Sequence, residues 1–337
     1  MGSKAFQILQ LGAESSQFTA VPATTKFRGP GGMFTDNRNM VFPKEDVGIV
    51  GGTDRSYVPA VLAELETSET EVTFEQTPVV MNASVRSVAG VQDGVGTNYL
   101  YNYALHDTAD PLYTDLKTYT GEYGDSVQYQ RAAGMICSEW EMKGKAESAW
   151  KYTSKWFGKQ AANVSKTAGV ALPTVEDALF QKTKVYLDAA GGSFGGTQLA
   201  LSLLEANIKC TTGWYPIYTA DGNLYYSIPG FDSDKYELTA ELTMLVNTAV
   251  ITERTNWENQ VTRLLQLKTE GSALGTPGTT YSVKTMIQNY AGKFEMFNSL
   301  DNQNGTSIVK ATFRNLYSVT KADRGNVLFV NELAALP

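Results

Sequence analysis

Between residues 69 and 75 the chain reads ETEVTFE, with Glu69, Glu71, Thr73 and Glu75 at one parity and Val72 and Phe74 at the other. A period of two predicts a half-buried strand with an acidic face. Thr77 and Pro78 then read as an N-cap and a first helical residue, opening a short helix through Val88. Residues 89–125 carry few periodic signals and are expected to form a long loop. Alternation resumes where Ile136, Trp140 and Met142 oppose Glu139, Glu141 and Lys143. Past a turn at Gly144, Trp150, Tyr152, Ser154 and Trp156 oppose Lys151, Thr153 and Lys155, which predicts a hairpin with one aromatic face.

The same order recurs further along. Tyr236, Leu238, Ala240, Leu242 and Met244 alternate with Glu237, Thr239, Glu241 and Thr243, a second strand with a polar face. Trp257, Val261, Leu264 and Leu265 fall at helical spacing and predict a helix ended by Gly271. Phe294 and Met296 then oppose Lys293 and Glu295, Asn304-Gly305 marks a turn, and Val309, Ala311 and Phe313 oppose Lys310, Thr312 and Arg314. Ser126-Val127 and Ala133-Gly134 precede the first hairpin as Ser282-Val283 and Ala291-Gly292 precede the second. The chain therefore reads as two copies of one pattern. The expected division is an N-terminal arm (1–40), a first unit (41–165), a joint (166–181) with a short helix near Val175–Phe180, a second unit (182–320) and a C-terminal arm (321–337).

Composition supports a mainly β fold: 18 Tyr, 14 Phe, 30 Gly and 11 Pro suit strands joined by many turns. A net charge of −7 argues against a basic surface that would hold nucleic acid through its phosphates. Cys137 and Cys210 are the only cysteines and read as small buried hydrophobes rather than a disulfide framework. No apolar run suits a signal sequence or a membrane span, so no membrane partner is expected.

Candidate chemistry is sparse. His106 is the only histidine, so any histidine-dependent site must use it, and its setting in LHDTADP reads as a surface loop. The glycine clusters lack phosphate-loop spacing, and Asp301-Asn-Gln-Asn-Gly305 lacks the glutamate that closes a calcium loop. The paired carboxylates lie at period two on strand faces, with none isolated in an apolar pocket as a glycosidase acid requires. No catalytic residue, cofactor or metal is expected, and the reading is of a non-enzymatic building block.

Several segments carry a resemblance: LGAESSQFTAVPATTKFRG (11–29), SETEVTFEQTP (68–78), EYGDSVQYQRAAGMICSEWEMKGK (122–145), KTKVYLDAAGGSFGGTQL (182–199), TGWYPIYTADGNLYYS (212–227) and YELTAELTMLVNTAVITERTNW (236–257). In this order they resemble the tail tube (major tail) proteins of long-tailed bacteriophages. The chain departs from similar proteins in the aromatic enrichment of 140–157, which leaves that hairpin's packing partner open.

The resemblance implies β-sandwich or half-barrel tube units, each with one helix, that complete a closed β-barrel when rings assemble. Rings stack around a channel that conducts genomic DNA into the host. The implied location is the virion tail, after assembly in the host cytoplasm. The implied partners are further copies of the chain, a tape-measure protein, tail-end proteins and DNA in passage. A ring presents six units, so two units per chain imply a trimer with pseudo-sixfold symmetry, and one unit per chain a hexamer. Four strands per unit would make a barrel of about 24 strands, roughly 50 Å across at the backbone, wide enough for a duplex. Glu69, Glu71, Glu75, Glu237 and Glu241 are the candidate lumen-lining residues, and the first arm and the 89–125 loop the candidate ring-to-ring contacts. A capsid-decorating or surface β-sandwich, or a carbohydrate-binding domain using Trp150, Tyr152 and Trp156, would share the composition.

Overall fold

A computed structural model describes residues 6–29, 33–109, 111–298, 300–303 and 305–337. The fold is mainly β, with two α-helices among the described residues, α1 (Thr77–Ser84) and α2 (Thr248–Glu258). Nineteen strands join into one sheet, and a separate two-stranded ribbon pairs Trp214–Ile217 with Ile228–Phe231.

One series of pairings runs through the sheet twice. Early in the chain, Ile8–Ala13 pairs with Tyr119–Gly124, which pairs with the front of the long strand Tyr129–Lys145. The rear of that strand pairs with Lys151–Gly158, which continues to Val61–Glu66 and then to Met33–Arg38. Later, Thr183–Ala189 pairs with Arg263–Ala273, which pairs with the front of Val283–Phe297. The rear of that strand pairs with Thr306–Asn315, which continues to Glu237–Leu245 and then to Leu203–Thr211. Both long strands carry one extra residue in the pairing with their hairpin partner, Ser138 in the first and Glu295 in the second. The two series meet edge to edge where Leu203–Thr211 pairs with the rear of Tyr129–Lys145, from Thr211 opposite Glu139 to Glu205 opposite Lys145.

One face of this sheet is the core. Trp140, Trp150, Tyr152 and Trp156 are buried there, which answers where the aromatic hairpin packs. Trp150 stacks edge-on against Phe180 at 4.9 Å and donates through Nε1 to Thr183 and Thr269, binding the two halves together. Between the halves, Glu75 accepts from Lys284 (2.6 Å) and from the Glu176 amide (2.8 Å), so the joint segment is fastened at a buried ion pair.

Several expectations need correction. Residues 89–125 are not a loop: they hold Val91–Gln92, Tyr99–Ala104 and Tyr119–Gly124. Tyr101, Tyr103 and Tyr119 bury their rings; Tyr99–Ala104 alternates with Asn102 exposed, but in Tyr119–Gly124 Thr120 and Glu122 are buried as well, so no polar parity marks that strand. The first arm is not free either. Leu9 and Leu11 are buried, and buried Glu14 accepts from Thr118, Thr120 and the amides of Gly134 and Phe18. Gly325–Asn331 of the second arm likewise sits in the sheet, between Val283–Phe297 and Tyr99–Ala104. Helix α1 ends at Ser84 rather than Val88, and its cap is Gln76, because the Thr77 hydroxyl accepts from the Thr73 amide. Only Thr70–Glu71 of the 69–75 segment is strand. Helix α2 is capped by Asn247 and ends at Glu258, while Leu264 and Leu265 belong to a strand buried on both faces. The joint holds no α-helix near 175–180; it runs extended, with bridges at Asp177 and Leu179. The extra residue Glu295 turns Met296 outward while Phe294 stays buried. Asn304 of the 304–305 turn lies outside the described residues, and Gly305 has φ +82°.

Candidate functional site

The face of the main sheet opposite the core carries charged residues over most of its extent, except where Leu62, Ile136 and Phe157 lie under the two-stranded ribbon. Alternation along each strand brings Glu64, Glu66, Glu139, Glu141, Glu205, Glu237, Glu241 and Glu295 to it, together with Lys143, Lys145, Lys151, Lys155, Lys209, Lys293, Lys310 and Arg314. Acidic and basic residues are equal in number and interleaved across neighbouring strands. Glu139 bridges Lys155 (3.3 Å) and Lys209 (3.5 Å) across three strands, Glu205 meets Lys145 (3.2 Å), and Arg314 meets both Glu237 (2.7 Å) and Glu295 (3.0 Å). Such exposed pairs contribute little stability each, but they cancel the field over the face. Partial burial pushes the Glu141 carboxyl up; the Lys143 and Asn207 side chains and the Lys209 charge outweigh it and hold it below the ordinary value.

At the centre of the face lies a depression of about 670 Å³, floored by Gly144, Ala206, Leu242 and Ala311 and rimmed by Lys143, Lys145, Glu205, Glu241 and Lys310. Gly144 is required there: a β-carbon would come within 2.0 Å of the Phe180 ring. Of its lining hydroxyls, Ser148 donates to the Lys145 and Ala149 carbonyls, and the rim carries charges of both signs.

The five candidate glutamates separate in space. Glu237 and Glu241 lie on the charged face, and Glu69 sits at its margin, 3.1 Å from Lys151. Glu71 is exposed directly opposite Lys151 and so shares the outward parity of the face at the same margin, where it also borders a groove with Arg28. Glu75 is buried in its ion pair with Lys284. The lysines and Arg314 are the residues the sequence reading passed over, although the same alternation that places Glu139 and Glu141 places Lys143, Lys151, Lys155, Lys310 and Arg314 at equivalent parity.

His106 is not a surface residue. It is buried among Phe231 (5.3 Å), Tyr236 (5.7 Å) and Trp214 (6.2 Å), and burial, then the charges of Arg86 and Arg324, push it down to about 4. Cys137 and Cys210 are buried and unpaired, and burial pushes both thiols up.

The main sheet ends in two unmatched edges. Met33–Arg38 pairs only with Val61–Glu66, and residues 293–297 pair only with Thr306–Asn315 among the described residues. The charged face thus stops at both sides on strands whose outer backbone groups lack a strand partner. In comparison with known proteins, the chain matches no family model and no curated protein.

Proposed function

We propose that this chain is a structural, non-enzymatic subunit of a bacteriophage tail tube, polymerising as stacked rings around a channel that passes DNA. The observation that carries the reading is the doubled pairing series. Two four-stranded units stand side by side in one sheet, joined through a strand edge, with an edge at each side that no strand pairs, the Trp257 indole touching one of them at the Glu295 carbonyl. A sheet built this way continues from copy to copy until it closes, and closure removes its edges. Three chains of two units supply the six units of a ring and about 24 strands, with a backbone diameter near 50 Å.

In that ring the charged face is the channel wall. Glu237 and Glu241 line it, Glu69 and Glu71 stand at its rim beside Lys151, and Glu75 lies off it. The wall is balanced rather than acidic, so a duplex meets neither an adhesive surface nor a strong repulsive one. Tape-measure and tail-end proteins are its partners by the family resemblance, and the virion tail its place.

Negative-stain electron microscopy of the purified full chain tests this. Hollow filaments with a regular ring repeat, and axial averages showing threefold symmetry with sixfold character, are expected. Discrete particles that never form filaments would overturn the reading, as a capsid-decorating or carbohydrate-binding domain would behave.

A further inference from the structure

The joint inside the chain is a template for the joint between chains. The extra residues Ser138 and Glu295 align the two long strands and make Glu139 the counterpart of Met296, facing Lys155 and Thr312 respectively. Glu66 faces Lys155 as Glu241 faces Thr312, and through those strands Thr35 corresponds to Lys209 and Asn37 to Thr211. Within the chain Thr211 lies opposite Glu139, Cys210 opposite Trp140, and the Thr212 amide donates to the Ser138 carbonyl at 2.9 Å.

We infer that Met33–Arg38 of one copy adds antiparallel to the 293–298 edge of a second copy in this register: Asn37 opposite Met296, Asp36 opposite Phe297, and Arg38 beside Glu295. The inference deepens the tube reading and rests on it only for the closure of the ring.

The segment that follows the strand supports the same partner. After Leu203–Thr211 the chain turns into the Trp214–Phe231 ribbon, whose Trp214, with Tyr226 between its strands, packs across the joint on Ile136 and Phe157 of the other unit. After Met33–Arg38 come residues 39–60, tied at their base by the Val41–Tyr57 bridge. This loop packs on nothing comparable: Phe42 is 66% exposed, Ile49 59% and Val50 104%. On the receiving side Met296, Leu316, Tyr317 and Val319 are exposed too, an apolar seat of matching kind. Lys293 and Arg314 occupy the positions of Ile136 and Phe157, and the loop brings Asp46 and Asp54 as well as its apolar residues. The contact is heterologous, a strand and loop of one copy on an edge and seat of the next, so it propagates to closure.

Residues directly opposite in an antiparallel pair have Cα atoms about 4.5–5.5 Å apart, within reach of a disulfide. The full chain carrying Asn37→Cys and Met296→Cys is therefore expected to form covalent multimers ending at the closed ring on mild oxidation. Neither single variant should do so, and buried Cys137 and Cys210 do not compete. Replacing residues 42–55 by a short Gly-Ser linker should leave the circular dichroism and melting of the subunit in place and abolish assembly. Assembled material that never cross-links, a chain that stays monomeric at its solubility limit, or normal assembly by the loop replacement would each overturn the joint. Cross-linked rings that never stack would leave the joint standing and remove the tube reading; filaments without the cross-link would do the reverse.

Discussion

At the scale of single residues, His106 shows how a lone polar side chain in a polar sequence can be core. Its neighbours in LHDTADP give no apolar signal, and the rings that bury it come from Trp214, Phe231 and Tyr236, more than a hundred positions away. The consequence is a pH dependence of stability. The folded histidine titrates at about 4 and the unfolded one near 6.5, so the unfolded chain takes up the proton first. The contribution of the buried neutral ring is complete above pH 6.5 or so and is lost as pH falls toward 4. Between about 6.5 and 5 the loss amounts to roughly 2 kcal/mol. Urea titrations at pH 7 and pH 5 should show this drop, and His106→Phe, which keeps a ring in the cage, should show it much reduced. Equal drops in the two proteins would mean that His106 is not the titrating group. Glu75 is the converse case: strand parity groups it with Glu69 and Glu71, yet the partner that permits its burial, Lys284, arrives from the other end of the chain.

At the scale of elements, the strands that were legible are those with one wet face. Lys151–Gly158 and Glu237–Leu245 show the alternation plainly because one side meets charge and the other core. Arg263–Ala273 and Tyr119–Gly124 were hidden because their polar and apolar positions are buried together, which erases the period of two. Extra residues did the rest, since a parity argument fails at Glu295 once the strand slips by one. Of the candidate site, the glutamates were readable and their lysine partners equally so, but pairing across strands was not, because register is a tertiary property. Gly292 tests the element scale. It stands where Val283–Phe297 passes from pairing with Arg263 to pairing with Asn315, and a β-carbon there would come within 2.0 Å of the Arg314 carbonyl. Backbone cannot give way as a flexible side chain can, so Gly292→Ala is expected to cost about 1–3 kcal/mol in a urea titration. A cost near zero would show that the two strands are not so close at this crossing.

At the scale of the whole molecule, the proposed ring makes the charged face and the two edges without a strand partner one property seen twice: other copies would continue the sheet and curve its face inward. In that ring the balance of the face would govern what moves past it. Glu237 already offsets Arg314 at 2.7 Å, and Glu241 stands across from Thr312 near Lys310. Replacing both by glutamine removes two negative charges from each chain and so six from a ring of three, and stacking repeats that change along the tube. The wall becomes basic, and a basic wall holds phosphates by releasing their counterions, with an affinity that falls steeply as salt rises. Tubes assembled from the Glu237→Gln, Glu241→Gln variant are therefore expected to retain short duplex DNA at low salt and release it as salt is raised, whereas unaltered tubes let it pass. The same charge change made off the face, at Asp107 and Glu332, should retain none. If the face pair and the off-face pair behave alike, the charged face does not line the channel, and the curvature of the ring must run the other way.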